Sequence, residues 1–567
     1  MKRHRWITPA ADEAAVARLH EALRIDPLLC RLLVQRGITT FEAARAFFRP
    51  SLDDLHDPFL MADMSAAVAR LDAAVQRGER ILLYGDYDVD GTTSVAMTYA
   101  WLANFHANLD YYLPDRDKEG YGVSLAGVEY ARTTGCSLVI AIDCGIKAHA
   151  AVELARTYNI DFIVCDHHLP EGGLPASVAN LDPKRPDCPY PFKELSGCGI
   201  AFKLAQAYAQ QNGLSVHDLE HLLDFVAVSI ACDIVPMTDE NRIMAAFGLN
   251  RLNREPRVGL WALIQRCGRR YPLTISDLVF GLGPLINAAG RVGDAREAVK
   301  LMLSADKQSA LENAGALVER NLQRREVDFA MAVNARRRLT EQPDWEARKS
   351  VVLFDPAWHK GIIGIAASRI AEEFHRPTVI LTQSEGRAVG SARSVAGFDL
   401  YEALQQCEHL FYSYGGHAHA AGMQMPPENV PDFVEKFEAI VRENLQKESE
   451  TPVLEIAGEL DFDNITPKFW RVLRQFGPFG PHNMTPVFCA RRVRDTGRSQ
   501  LLANDHVRFS LRQTGGNKTM TGMGFGVGAA FSAMRDRELD VAFSIREESW
   551  RGETTLTLQV KDVREAE

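Results

Sequence analysis

The stretch Ile81-Leu82-Leu83-Tyr84-Gly85-Asp86-Tyr87-Asp88-Val89-Asp90-Gly91 decides how the rest of the chain reads. Its first four residues form a short apolar run, the pattern of a buried strand. Gly85 follows, then three carboxylates at alternate positions, Asp86, Asp88 and Asp90, closed by Gly91. Acids this close repel one another unless cations neutralise them, and hard divalent cations take oxygen ligands of this kind. The same Asp-x-Asp-x-Asp-Gly spacing opens an EF-hand loop. That loop needs a preceding helix and a Glu at its twelfth position. Here a strand precedes and the twelfth position is Met97, which rules the calcium loop out. For this stretch by itself, a solvated acidic turn stays open.

The neighbouring sequence argues for the metal reading. Ser65 to Gln76 has the spacing of an amphipathic helix leading into the Ile81 strand, and Thr92 to Phe105 reads as the next helix. Leu109 to Leu113 reads as a strand ending in Pro114-Asp115-Arg116. Ser137 to Ile142 reads as a strand ending in Asp143-Cys144-Gly145, and His149 to Tyr158 as a helix. Asp161 to Cys165 reads as a strand ending in Asp166-His167-His168. This alternation predicts an α/β domain with a mostly parallel sheet, covered by helices on both faces. In such sheets ligands bind outside the carboxyl ends of the strands, which is where the three polar clusters fall. Leu219 to Ala231 is an apolar helix ending in Cys232-Asp233, and a carboxylate there is costly unless paired. Asp86, Asp88, Asp90, Asp143, His167 and Asp233 form a mixed oxygen and imidazole set. It suits two divalent metals, Mn2+ or Mg2+ rather than thiolate-bound zinc, and two such metals are a usual device for phosphoester hydrolysis. His167 and His168 taken alone are two ordinary surface histidines.

Composition bounds the rest. A chain of 567 residues exceeds one core, so several domains are expected. The formal charge of -10, from 64 basic and 74 acidic residues, argues against bulk electrostatic binding of nucleic acid but leaves room for a local basic groove. The ten cysteines form no CxxC pair, so neither a disulfide framework nor a zinc knuckle is expected. No signal peptide and no membrane span are expected, and the cytoplasm is the simplest location. Residues 1–65 read as a helical packing arm, with Leu28, Leu29, Leu32 and Leu33 at helical spacing. Residues 303–340 read as one long helix, and a second α/β unit opens at Val351 to Phe354. In that unit His359-Lys360-Gly361-Ile362 starts a helix whose free N–H groups suit an anion, and Gly415-Gly416-His417 permits close backbone approach to phosphate. Around five short strands follow, in Val453–Ile456, Val487–Val493, His506–Leu511, Leu539–Ile545 and Thr554–Val560. They suit an OB-type barrel whose candidate strand-binding residues are Arg491, Arg492, Arg494, Lys518 and Trp550. A plain packing domain is the alternative.

The triplet Asp166-His167-His168 with GDYDVDG upstream resembles the DHH phosphoesterase superfamily, and within it the RecJ-type single-strand exonucleases. The resemblance extends over nearly the whole chain. It takes in Leu113-Pro114-x-Arg116 with Glu119-Gly120-Tyr121-Gly122, Gly283-Pro284-x-x-Asn287-Ala288-Ala289-Gly290-Arg291 and Trp358-His359-x-Gly361-Ile362. Ser391-Ala392-Arg393-Ser394 and Gly415-Gly416-His417-x-x-Ala420-Ala421-Gly422 belong to it too. Ala392 stands where many members carry Gly, and Cys232 where Ala is usual. The resemblance implies a helical arm at 1–65, a DHH domain at 66–302, a connecting helix at 303–340, a DHHA1 substrate-gripping domain at 349–447 and an OB domain at 452–567. It implies that Asp143 bridges two ions. Asp90, His167 and Asp233 would complete one site, and Asp88 with Asp86 would serve the other. It places His168 and Arg291 at the scissile phosphate. It gives Arg116, Ser391 and Arg393 the terminal 5′ phosphate, and His359, Gly415, Gly416 and His417 substrate contacts. The implied activity is metal-dependent 5′-to-3′ hydrolysis of single-stranded DNA to mononucleotides, in repair and recombination. The implied enzyme is a monomer, with a helicase and a single-strand-binding protein as partners. A DHH phosphodiesterase of short oligoribonucleotides or cyclic dinucleotides is the alternative, as is a non-catalytic strand-binding protein.

Overall fold

The computed structural model describes residues 4–116, 118–342, 344–445, 451–550 and 553–566. The chain divides into two compact units. One comprises Ala46–Arg325 with Gly477–Met484, and the other Met1–Arg45, Glu326–Phe476 and Thr485–Glu567.

The first unit is built on five parallel strands in the order Leu109–Tyr112, Ile81–Gly85, Leu138–Ile142, Asp161–Cys165, Ala179–Leu181. The Ile81 and Leu138 strands are buried at every position, as sheets covered on both faces demand. Side chains alternate between the faces. Ile81, Leu83, Leu138 and Ile140 pack with the helices Met64–Arg77, Val89–Leu102, Gly197–Gln211 and Leu223–Cys232. Leu82, Tyr84, Val139 and Ala141 pack with Leu125–Thr133 and His149–Thr157. The helix after the acidic stretch begins at Val89 rather than Thr92, because the Asp88 side chain caps it by accepting from the Gly91 N–H at 3.1 Å. This puts Asp90 in the first turn. The apolar Leu219–Ala231 run is likewise broken, into a 3-10 turn, Val216–Leu222, and the helix Leu223–Cys232.

In the second unit, a mixed sheet runs in the order Ser413–His417, Ala420–Met425, Arg387–Arg393, Thr378–Ser384, Val351–Phe354. The helix Ile363–Phe374 packs with Val351, Leu353 and Ile380, and Val430–Asn444 packs with Val379, Leu381 and Ala392. Beyond it, Phe488–Asp495, Leu539–Trp550, Glu553–Glu565, Thr519–Gly524 and His506–Gln513 pair in sequence, and the last pairs back with the first, closing a barrel. Thr519–Gly524 replaces Val453–Ile456 among the expected barrel strands. Its sequence, TMTGMG, lacks large alternating apolar residues. A Cβ at Gly522 would lie 2.3 Å from the Leu558 carbonyl oxygen, so glycine is what lets this strand pair closely. Val453–Glu455 instead pairs in parallel with Arg5–Ile7. The N-terminal arm is thus stitched to the barrel side of its unit. Gln35 donates to the Pro9 and Ala457 carbonyls, Trp6 Nε1 donates to Asp562, and Leu29, Leu32 and Leu33 are buried.

The helix Lys307–Thr340 spans 34 residues, its first part in one unit and its remainder in the other. No helix among the described residues is long and apolar enough to cross a membrane.

Candidate metal centre

The strand order 2-1-3-4-5 of the parallel sheet has its switch point between the first and third strands, where such sheets bind ligands. Register then assembles the acids. Gly85 pairs with Ile142 and Ile142 with Cys165, so the next residues, Asp86, Asp143 and Asp166, leave three adjacent strands side by side. Asp143 turns with φ 61°, a left-handed conformation that Asp tolerates better than most residues. Asp90 arrives from the Val89 helix and Asp233 caps the end of Leu223–Cys232. A Cβ on Gly197 would fall 2.6 Å from that of Asp143 and 3.1 Å from Asp90 Oδ2, so glycine there makes room for the cluster.

Three sets of ligand atoms lie within 4.8 Å of one another: Asp90, His167 and Asp233; Asp86, Asp88 and Asp143; and Asp143, His167 and His168. His167 Nε2 stands 3.1 Å from Asp143 Oδ1, 3.7 Å from Asp233 Oδ2 and 3.8 Å from Asp90 Oδ2. Burial pulls its imidazole down to about 4, which leaves the neutral ring a metal requires. Burial, reinforced by Asp90, Asp88, Asp233 and Asp86, holds the Asp143 carboxyl well above the usual range. Burial and like charges raise Asp86, Asp88 and Asp233 as well. Asp86 Oδ1 and Asp233 Oδ2 are buried with no hydrogen-bond partner among the described residues. Burying such oxygens unpartnered is expensive. Cations shared across the cluster remove both the repulsion and the missing contacts, so this donor set fits two hard divalent ions.

Asp90 is the exception in being fully engaged. Its oxygens accept from the N–H groups of Gly197 at 2.6 Å and Cys198 at 2.9 Å, at the start of Gly197–Gln211, and from Ser229 Oγ at 2.6 Å. Helix N-termini favour negative charge in this way. Ser229 Oγ also lies 2.7 Å from Ser196 Oγ, the cap of that helix.

Cationic groups stand beside the acids. The Arg116 guanidinium lies over the Tyr87 ring at 5.3 Å from its centroid, and its charge opposes the upward shift of Asp86. Arg291 ends the helix Gly283–Val292 and acts electrostatically on Tyr87. A Cβ on Gly290 would lie 2.3 Å from the Tyr87 carbonyl oxygen, so that helix abuts the acidic loop. The remaining candidates gather in the other unit. Ser391 pairs across the sheet with Gly422 and Gly422 with Gly415, while Arg393 pairs with Ala420 and Ala420 with His417. Ser391, Arg393, Gly415 and His417 thus occupy neighbouring rungs of one sheet. Gly415-Gly416-His417 forms the end of the strand Ser413–His417. Arg393 Nε donates to Ser368 Oγ and Nη1 to Ser391 Oγ, both at 3.1 Å. His359 Nδ1 accepts from the Gly361 N–H at 3.1 Å. Ala392 is fully buried, so its methyl group points to the core, away from this face.

Comparison with known proteins accounts for the pattern. Residues 80–230 match the DHH family N-terminal domain, 348–443 the DHHA1 domain and 456–562 the RecJ OB domain. The single-stranded-DNA-specific exonuclease RecJ of Dickeya dadantii is 34% identical over 560 residues, 95% of this chain and 96% of that protein. The chain belongs to the RecJ family. The RecJ of Bacillus subtilis is 37% identical over 512 residues, 90% of this chain, and the chain spans 64% of that longer relative. The crystal structure of Thermus thermophilus RecJ in complex with Mn2+ covers 100% of this chain and 80% of its own, with a TM-score of 0.85 and 27% identity. Its Mg2+ complex gives a TM-score of 0.77.

The barrel cations expected to contact a strand also form local pairs. Arg491 pairs with Glu459 and Asp540, Arg492 and Arg494 pair with Glu538, and Lys518 Nζ donates to the Ile465 carbonyl. These cations neutralise neighbours on the barrel itself. The Trp550 side chain lies outside the described residues. Arg494 also lines a cavity of about 580 Å³, together with Thr496, Ser510 and Thr519 and with Arg498 and Arg512, which the sequence reading passed over. Neither Arg498 nor Arg512 has a carboxylate partner among the described residues, and Arg512 donates to Thr519 Oγ1. Also passed over were Asp166, Tyr121, Ser229 and Ser368. Asp166 and Tyr121 stand inside motifs already noticed, and Ser229 is the one hydroxyl in an apolar helix, a visible signal that a buried acceptor waits opposite.

Proposed function

We infer that the protein is a metal-dependent 5′-to-3′ exonuclease of single-stranded DNA, serving repair and recombination. The observation that carries this is the overlap of three donor sets, Asp90, His167 and Asp233; Asp143, His167 and His168; and Asp86, Asp88 and Asp143, at the switch point of the sheet, in a chain that matches RecJ relatives over most of its length. In this reading Asp90, His167 and Asp233 would hold one cation and Asp86 and Asp88 the other, with Asp143 serving the pair. Bound Mn2+ or Mg2+ would supply charge neutralisation at the phosphodiester and activation of a water for attack on phosphorus. His168 at the rim of the cluster and Arg291 face the scissile group, where fixed donors stabilise charge as it develops. Within their own unit, Ser391 and Arg393 bind the terminal 5′ phosphate, with His359, Gly415, Gly416 and His417 along the backbone; Arg116 serves as a phosphate contact of the metal-bearing unit. Hydrolysis adds water across the bond between phosphorus and the 3′ oxygen. It releases a mononucleotide and leaves a fresh 5′ phosphate on the shortened strand, so each product end regenerates the group this pocket reads. The barrel follows the strand through Arg498 and Arg512. The enzyme works as a cytoplasmic monomer, alongside a helicase that opens duplex and a protein that coats single strands.

The test is a nuclease assay on long single strands labelled at either end, with and without Mn2+. Metal-dependent release of mononucleotides from the 5′ end supports the reading. Cleavage confined to short oligoribonucleotides, or release from the 3′ end, overturns it.

A further inference from the structure

We propose that Tyr121 is a positioning residue for the reaction, fixing the His168 imidazole between its own hydroxyl and the Asp166 carboxylate. The proposal rests on the nuclease reading above and assigns a new part of its site. Tyr121 Oη lies 3.1 Å from His168 Nδ1, 3.0 Å from Nε2 and 3.2 Å from the Asp143 carbonyl oxygen, to which it can donate. The two rings meet edge to face, with centroids 5.4 Å apart. On the other side, Asp166 Oδ1 lies 2.7 Å from His168 Nδ1 and accepts the backbone N–H groups of His167 and His168, while Oδ2 accepts that of Ile146. A carboxylate so engaged is an acceptor, so Nδ1 carries hydrogen and donates to it. Nε2 is then the nitrogen left to accept the single Tyr121 hydroxyl hydrogen, in place of the Asp143 carbonyl. A single contact would leave the ring free to swing about its Cβ–Cγ bond. Two contacts on different nitrogens fix its plane, as buried or cofactor-facing imidazoles are fixed by what the second nitrogen meets.

The loop that carries Tyr121 is built as a rigid support. Gly120 and Gly122 flank it at φ 82° and 87°, conformations that glycine supplies without strain. A Cβ at either glycine would meet nothing within 4 Å, so the requirement is for backbone direction, not space. Glu119 anchors the near side by accepting from Tyr112 Oη, Ser124 Oγ and the Asp115 N–H. Tyr84 Oη anchors the far side by donating to the Gly122 carbonyl and accepting from the Ser124 N–H. Yet Tyr121 itself is 55% exposed, so packing does not explain the effort. A side chain held this firmly, with its ring in solvent and its polar tip in the site, acts through that tip.

Tyr121→Phe in the full chain removes the hydroxyl and keeps the ring. The expected result with Mn2+ and a 5′-phosphorylated strand is a kcat lowered about ten-fold, the equivalent of one hydrogen bond at 1.36 kcal/mol per decade, with KM within about two-fold. Mn2+ binding by calorimetry should be unchanged. In protein labelled with 15N histidine and free of metal, the His168 Nε2 resonance should move. That readout needs no nuclease activity, so it separates failure of this contact from failure of the functional reading. An unmoved Nε2 resonance, an unchanged kcat, or a loss appearing in KM alone would each overturn the proposal. The same ten-fold loss from Tyr121→Phe in a His168→Gln background would also overturn it, because Tyr121 is argued to act only through His168.

Discussion

Polarity is the property the acidic cluster cannot supply, since those acids would serve any phosphodiester, and Arg393 is where it should be lost. Its guanidinium is oriented before substrate arrives, by Ser368 Oγ and Ser391 Oγ at 3.1 Å each and by the Ala392 carbonyl at 2.7 Å. A phosphate bound there meets a fixed fork, a geometry that lysine does not reproduce. A terminal phosphate carries about −1.5 to −2 charge near neutral pH, an internal one −1. The extra charge near 4 Å is worth at most about 4 kcal/mol at a surface-like dielectric, and Arg393 is half-buried, so screening takes part of it. A hydrogen bond to a charged group, about 1.5–3 kcal/mol, is the better measure. Arg393→Ala should therefore lower kcat/KM on 5′-phosphorylated strands roughly 10- to 150-fold. On strands ending in a 5′ hydroxyl the loss should stay within about three-fold, because the lost contact was not made there. Arg393→Lys should fall between. The assay compares both substrates on all three proteins at one salt concentration. An equal proportional loss on both ends would show that Arg393 supports the sheet or the internal backbone, and the pocket would have to lie elsewhere.

Asp143→Asn keeps a side chain that tolerates φ 61° and removes the charge common to the set with Asp86 and Asp88 and the set with His167 and His168. Cleavage should drop by at least about 10³-fold while single-strand binding persists, and near-normal turnover with Mn2+ would refute the assignment. The raised carboxyls of Asp86, Asp143 and Asp233 make the metal-free folded state bind more protons than the unfolded chain above the ordinary carboxylate range. Their contribution to its stability should accordingly fall as pH rises above the ordinary carboxylate range, while His167, lowered to about 4, contributes in the opposite sense up to its ordinary value near 6.5. Mn2+ should remove most of that slope, and a metal-free melting temperature that rises with pH beyond that value would contradict the cluster's electrostatics. Replacing Arg498 and Arg512 together by Ala should weaken binding of long single strands and reduce the salt slope by roughly 1.4, two phosphate contacts at about 0.7 each. An unchanged slope would return the cavity to a packing role.

Three strands of the parallel core, Ile81–Gly85, Leu138–Ile142 and Asp161–Cys165, were legible as apolar runs ending in a polar cluster, and registers such as Gly85 with Ile142 turn that pattern into one site, whereas the short edge strand Ala179–Leu181 was not read from the sequence. The barrel was half legible. Its long strands alternate, but Thr519–Gly524 carries glycines chosen for close approach to Leu558, and sequence periodicity records side chains, not gaps. The pairing of Arg5–Ile7 with Val453–Glu455 was not legible at all, since nothing local marks two short runs some 450 residues apart as partners.

The site divides along the same line. Residues whose type is the chemistry, such as Asp143 and His167, announce themselves. Residues whose role is to orient others do not, because serine, tyrosine and glycine are ordinary in any fold. Asp90 shows why they matter. Two N–H groups of a helix start and the Ser229 hydroxyl donate to its oxygens and fix its direction. Asp233 in the same set and Asp86 in the neighbouring one keep unpartnered oxygens. Under the proposed function, an anchored acid beside such adaptable ones would let the cluster admit cations without first rebuilding itself. That division of labour resides in Gly197, Cys198 and Ser229, three residues that no metal-ligand pattern would single out.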